Sequence, residues 1–194
     1  MCETNCDRNE CAARALVRGV RIRAIAATDS AWGIGKDGAL LARLPGDLRY
    51  FREKTLGGIL VMGRRTLESL PGGRPLDGRK TIVLTHNADF VAEGAIAAHS
   101  LSELAEAIGR LRAEDGGDRP DVFIAGGAVV YEELLPYTDS CLITRMDGNF
   151  GADAFFPNLD EDEGFSLTWE DAPIEENGVP YRFTEYSRRG GGEK

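Results

Sequence analysis

The feature that most limits how this chain can fold is a repeated unit: a short apolar run, a polar or glycine break, then a stretch with helical spacing. VRIRAIAA (20–27) opens with apolar and charged residues in turn and then becomes apolar, the pattern of a strand entering a core. GGILVMG (57–63), KTIVLT (80–85), GAIAAH (94–99), DVFIA (121–125) and SCLITRM (140–146) read as further strands. RRTLESL (64–70) and SLSELAEAIGRLRAE (100–114) have helical spacing. In the second, Leu101, Leu104, Ile108 and Leu111 form one stripe, and Ser100 or Ser102 can cap it. GGAVVYEELLPY (126–137) passes from glycines into a helix, PGGRPLDGR (71–79) is turn chemistry, and FSLTWE with PYRFTEYS forms a terminal strand pair. Strands alternating with helices predict an α/β fold: a doubly wound, mostly parallel twisted sheet with an antiparallel C-terminal strand pair. Ligands of such sheets bind beyond the carboxyl ends of the strands.

With 194 residues the chain suits a single domain with a real core. Its 32 acidic against 23 basic residues give a formal charge of -9, which argues against broad nucleic-acid binding but allows a small basic pocket. No apolar run approaches the ~20 residues of a membrane helix. MCETNCDRNECAARALVRGVR lacks the apolar core of a signal peptide, so a cytoplasmic protein is expected, without membrane partners and monomeric. Residues 1–19 read as a disordered extension, 20–188 as the folded domain and 189–194 as a flexible tail. Cys2, Cys6 and Cys11 could bind a metal or a cluster, but zinc pairs have tighter spacing and a fourth ligand, and His86 and His99 are the only histidines. The expectation is a redox-inert segment and no metal.

Strand ends supply the candidate chemistry. IAATDSAWGIGKDGALLARLPGDL carries a long glycine-bearing loop with Trp32, either a solvated connection or a functional loop. It runs into a helix that starts at Pro45 to Asp47. Asp47 and Phe51 lie four apart and share a helical face, flanked by Leu48. A flat heteroaromatic ring could lie on Phe51 with its donor edge on Asp47, where desolvation raises proton affinity. The alternative is an acid answering the helix dipole. In ILVMGRRTLESL a strand ends at Gly63, and Arg64, Arg65 and Thr66 meet a helix start, an anion site or merely an exposed basic turn. Thr85 and His86 end the next strand, and an arginine so placed can receive the 2′-phosphate of NADP. Gly126 and Gly127 close DVFIAGG without completing a G-x-G-x-x-G fingerprint.

Taken together and in order, IAATDSAWGIGKDG, LPGDLRYFREKTLG, VMGRRTLESLPGGRPLDGRKTIVLT, VFIAGGAVVYEELLP and LITRMDGNFGADAFFP resemble dihydrofolate reductases over roughly residues 21–187. The resemblance implies that family's fold and NADPH-dependent reduction of 7,8-dihydrofolate to tetrahydrofolate, with antifolates as inhibitors. It makes Asp47 the single active-site carboxylate, holding the pterin's amino edge and supporting protonation of N5 through water, with Thr144 hydrogen-bonded to it. Ala27, Leu48, Phe51, Leu70, Leu76, Ala125 and Tyr131 would line the substrate pocket, and Arg79 would grip the glutamate carboxylate. Ala27, Ile34 and Gly35 would border the nicotinamide. Gly63, Arg64, Arg65, Thr66, Leu84, Thr85 and His86 would take the adenosine end, and Gly126, Gly127, Ala128, Val129 and Val130 the diphosphate. The family often makes the Gly-Gly bond cis.

This chain departs from the family where Leu41 and Ala42 replace a common Pro-Trp, and where Ala125 and Ala128 replace a larger aliphatic residue and a third glycine. Two other readings compete. One is the pyrimidine reductase of riboflavin synthesis, similar in fold and also NADPH-dependent. The other is a non-catalytic NADPH-binding paralogue, motivated by the missing tryptophan. LPGDLRYF and PLDGRK favour the folate reading.

Overall fold

The computed structural model describes residues 19–114 and 120–190. The expected extension, Cys2, Cys6 and Cys11 included, lies outside the described residues apart from Gly19, and so does the expected tail from 191 onward. The strands are β1 Ile22–Thr28, β2 Gly33–Gly35, β3 Ile59–Gly63, β4 Lys80–Leu84, β5 Ala95–Ala98, β6 Val122–Gly126, β7 Ser140–Met146, β8 Ala154–Phe155, β9 Phe165–Glu170, β10 Ile174–Glu176 and β11 Val179–Arg188. The α-helices are α1 Pro45–Thr55, α2 Arg64–Ser69, α3 Leu101–Glu114 and α4 Ala128–Leu134. Ser100 caps α3, its hydroxyl 3.2 Å from the Glu103 amide.

The main sheet runs β10-β11-β7-β1-β6-β3-β4-β5. Pairings from β7 through β5 are parallel, and β11 is antiparallel to β7. The expected C-terminal pair, β9 with β11, is joined by β10 on the same flank of β11. That third strand comes from a tight hairpin. Asn177 and Gly178 both adopt left-handed backbone, φ 54° and 75°, as such a turn requires.

Alternate residues of each strand bury opposite faces of the sheet. Ile22, Ala24, Val61, Ile82, Ile124 and Ile143 pack with the α3 stripe Leu104, Ile108 and Leu111. Ile25, Leu60, Met62, Val83, Phe123 and Leu142 pack on the other side with Phe51, Leu67, Leu70 and Leu76. α1 therefore lies on the second face, next to the carboxyl ends of β1 and β7.

The loop after β1 is no solvated connection over its first half. Trp32 is buried despite a left-handed φ of 64°. Its indole stacks on Phe156 at 6.1 Å, and the Arg145 guanidinium sits 4.2 Å from the ring centroid. The buried Asp29 carboxylate accepts amide hydrogens from Ala31, Gly33 and Phe150 at 2.8–3.0 Å. β2 then pairs with β8. These contacts clamp the segment that carries Ile34 and Gly35 to the 148–156 stretch.

Candidate active site

The first turn of α1 shows what Asp47 does and does not do. Pro45 opens the helix, where its missing N–H costs nothing, and the N-cap residue Leu44 offers no side-chain acceptor. The Gly46 amide is met instead by Glu176 Oε2 at 2.7 Å. Asp47 is not the cap. Its Oδ1 accepts the Thr144 hydroxyl at 2.6 Å. Thr144 is buried on β7, directly opposite Ala27 of β1 in the parallel register. Three residues distant in sequence, Ala27, Asp47 and Thr144, thus meet at the carboxyl ends of adjacent strands. Burial pushes the proton affinity of Asp47 above that of an ordinary carboxylate; the Thr144 bond opposes this, and the charge of Glu176 adds to it.

Apolar side chains continue the site along the same helix and sheet face. Phe51, one turn further along α1, packs half-buried with Leu70, Leu76 and Ala125 on the second face of the sheet. Leu48 is 40% exposed, so it edges the site rather than filling the core. At the departure from the family pattern, Leu41 and Ala42 pack beside Leu44, Met146 and Tyr181 with Phe150. Tyr131 lies deeper: it is buried, its hydroxyl donates to the Ile25 carbonyl at 2.7 Å, and its ring centroid is 4.6 Å from that of Phe156.

Arg79 stands apart, past the Asp77–Gly78 turn. Its Nε and Nη2 both donate to the Asp77 carbonyl, at 3.1 and 2.8 Å, which fixes the plane of the guanidinium and leaves its Nη1 edge for an anion. Burial first, and the charge of Arg52 second, lower its proton affinity, against the opposing charge of Asp77. An open hollow of about 370 Å³ lies beside it, bounded by the 74–79 turn with Glu93 and Gly94. This hollow is at the outer end of the site and not over Asp47.

A second cluster forms along the carboxyl ends of β3, β4, β5 and β6. Register places Gly63 opposite Leu84, Leu84 opposite Ala98, and Met62 opposite Gly126. Arg64 and Arg65 begin α2 there; Arg64 is held by Glu68 one turn on, at 2.7 Å, and Arg65 is exposed. The Thr85 carbonyl is 2.9 Å from His99 Nδ1, the Thr85 hydroxyl accepts the Asn87 amide at 3.2 Å, and His86 is exposed. Gly126 has no room for a side chain, since a Cβ would come 2.5 Å from Thr66 Cγ2. Gly127, at φ 93°, leads into α4, where Ala128 is half-buried, Val129 is exposed and Val130 is buried. All described peptide bonds are trans, Gly126–Gly127 included.

Residues 21–188 match the sequence profile of the family described as dihydrofolate reductase. The chain belongs to the dihydrofolate reductase family. It is 39% identical over 160 residues to the dihydrofolate reductase of Mycobacterium tuberculosis, covering 80% of this chain and 90% of that one. It is 34% identical over 157 residues to that of Bacillus subtilis, covering 80% and 88%. A solved dihydrofolate reductase from Enterococcus faecalis, complexed with NADP(H) and RAB-propyl, superposes with a TM-score of 0.74 at 35% identity, covering 87% of this chain and 96% of that one. Membership makes the chain an oxidoreductase that reduces dihydrofolate with NADPH, and sets aside the riboflavin-pathway reading. Among the described residues, no helix is long and apolar enough to cross a membrane.

Three residues outside the sequence-predicted set also touch these regions. Glu176 lies at the first turn of α1, Asp29 orders the loop after β1, and His99 meets Thr85. Glu176 had one local signal, the ENG turn at 176–178. Asp29 and His99 had none, because their partners are set by tertiary approach alone.

Proposed function

We propose that this chain reduces 7,8-dihydrofolate to tetrahydrofolate with Asp47 as the carboxylate that supports protonation of N5 while carbon accepts a hydride. The observation that carries the reading is the Asp47–Thr144 pair: an acid 2.6 Å from a buried hydroxyl, among apolar side chains, with its proton affinity raised. A carboxyl so placed can accept the pterin's amino edge through one oxygen while the other addresses a water. Burial raises its proton affinity, which favours sharing a proton with the ring nitrogen through that water. Thr144 fixes its rotamer, and Leu48, Phe51, Leu70, Leu76 and Ala125 keep bulk water from the ring. Arg79, already planar against Asp77, binds the glutamate carboxylate. Antifolates would occupy the same pocket.

The chemistry of the second cluster fits NADPH, which when bound supplies the hydride. Arg64 and Arg65 offer guanidiniums to a 2′-phosphate, and Thr66, Thr85 and His86 add polar donors at the adenosine end. The side-chain-free face of Gly127, with Ala128, Val129 and Val130, lets a diphosphate approach backbone amides. Gly63 and Leu84 floor the adenosine end. Ala27, Ile34 and Gly35 border the nicotinamide, with Tyr131 beneath them as a fixed wall. The test is oxidation of NADPH, followed by absorbance, with and without dihydrofolate. Turnover should require dihydrofolate. NADPH binding without turnover would overturn the reading of Asp47 as the supporting acid.

A further inference from the structure

The β10–β11 hairpin meets the first turn of α1 with a negative charge. Glu176 Oε2 takes the Gly46 amide, and the next residue, Asn177, donates from Nδ2 to the Arg43 carbonyl at 3.1 Å. Consecutive residues of one turn thereby hold both ends of Arg43–Gly46, the segment that delivers Asp47. Gly46 leaves no space there: a Cβ would collide with the Tyr181 hydroxyl and lie 3.0 Å from each Glu176 carboxylate oxygen. Carboxylate, phenol and helix amide converge one residue before Asp47. Arg49 approaches Glu176 at 3.7 Å from outside, and its own side chain is 70% exposed.

A glutamine would satisfy the same amide and phenol without setting one acid beside another. What glutamate adds is charge, and Asp47 is the acid that feels it. We propose that Glu176 is a positioning residue for the reaction: it holds the first turn of α1 and sets a second negative charge beside Asp47. This rests on Asp47 as the carboxylate that supports protonation. Thr144 from β7 bonds Asp47, and the titratable groups near enough to share its electrostatics are Glu176 from β10, Tyr181 from β11, Tyr131 from α4 and Tyr50 from α1. The tyrosines are neutral near pH 7, so Glu176 carries the charge that bears on Asp47. Arg49, exposed and screened, offsets only part of it. Proton affinity at Asp47 therefore rises, as burial alone already favours.

The test is the pH dependence of the single-turnover hydride rate for the parent, Glu176→Gln, Glu176→Ala, Asp47→Asn and the Glu176→Gln/Asp47→Asn double variant, with melting curves. Glu176→Gln should move the midpoint of the alkaline fall in rate downward by about 0.3–1 pH unit, roughly two- to tenfold in rate near neutrality. Its melting should change little, because glutamine keeps the acceptor. Glu176→Ala should show the same displacement with a lower Tm. In the Asp47→Asn background, Glu176→Gln should add no displacement. If Glu176→Gln superimposes on the parent while Asp47→Asn departs from it, Glu176 is only structural and the inference is overturned. A displacement confined to Glu176→Ala would overturn the charge role in favour of a tether. If Asp47→Asn also superimposes on the parent, the reading of Asp47 fails and takes this inference with it.

Discussion

The two clusters at the carboxyl edge of the sheet handle charge in opposite ways. Beside β1 and β7 one partly buried acid, Asp47, is held at 2.6 Å by a buried hydroxyl, with the Glu176 carboxylate at the same helix turn. Along β3 to β6 the charged groups are plural and open to solvent; the Arg64 side chain is 39% exposed and pairs with Glu68. On the roles proposed for them, the difference follows from the task. Moving a proton needs one group whose affinity is tuned, and tuning comes from desolvation. Recognising a polyanion needs several donors, each worth little in water and each partly replaceable. One substitution should therefore cripple the first region, while the second should lose function by degrees.

Asp47→Asn is expected to cost the most, about 10²–10⁴-fold in hydride rate near neutrality, the range of a positioned acid–base group. The fold should not suffer. Because the folded-state proton affinity of Asp47 is raised above its ordinary 3.8, its contribution to stability is full below that value and is lost as pH rises through the raised one. Asparagine can still accept the Thr144 hydroxyl, so thermal melting at pH 7 should show a variant at least as stable as the parent. A large Tm drop would blur the contrast by making Asp47 structural.

Arg79→Ala comes next. Each lost charge-assisted bond costs about 1.5–3 kcal/mol, roughly tenfold to over a hundredfold in dihydrofolate affinity, while NADPH affinity holds. Titration with a substrate lacking its glutamate should show little effect; equal losses for both substrates would make Arg79 structural. Replacing Arg64 or Arg65 with Ser should have a smaller effect, about fivefold or less in the preference for NADPH over NADH, since both are solvent-reached. Equal use of the two nucleotides by the unmodified protein would remove the phosphate-binding role of this edge. Thr144→Val should have the smallest effect, moving the alkaline midpoint of the rate upward by a few tenths of a unit, because the hydroxyl stabilises the ionised form of Asp47. A downward movement would contradict that.

Much of the scaffold was legible because its strands are long apolar runs with clear ends, such as ILVMG and SCLITRM, and helix α3 carries an unbroken stripe. The pieces missed are too short to have a period: GIG in β2, AF in β8 and IEE in β10. Trp32 was visible as a large apolar residue in a glycine loop, but its burial depends on Phe156, Tyr186 and Arg145, far along the chain. The site was half legible. Asp47 and Phe51 could be paired from helical spacing, and Arg64–Arg65 from a strand end. That Thr144 meets Asp47 rests on a contact across 97 residues, which family resemblance implied and no local pattern could reveal. Glu176 escaped both routes.

Asp47 is proposed to serve the reaction and not the helix start. The direct measurement is the pH–rate profile of the hydride step for the parent and Asp47→Asn. The Asn variant should be slow near neutral pH and climb toward the parent as pH falls, because solvent then supplies substrate already protonated at N5. An Asn variant as fast as the parent at neutral pH, and less stable, would contradict that proposal and leave Asp47 with a structural role alone.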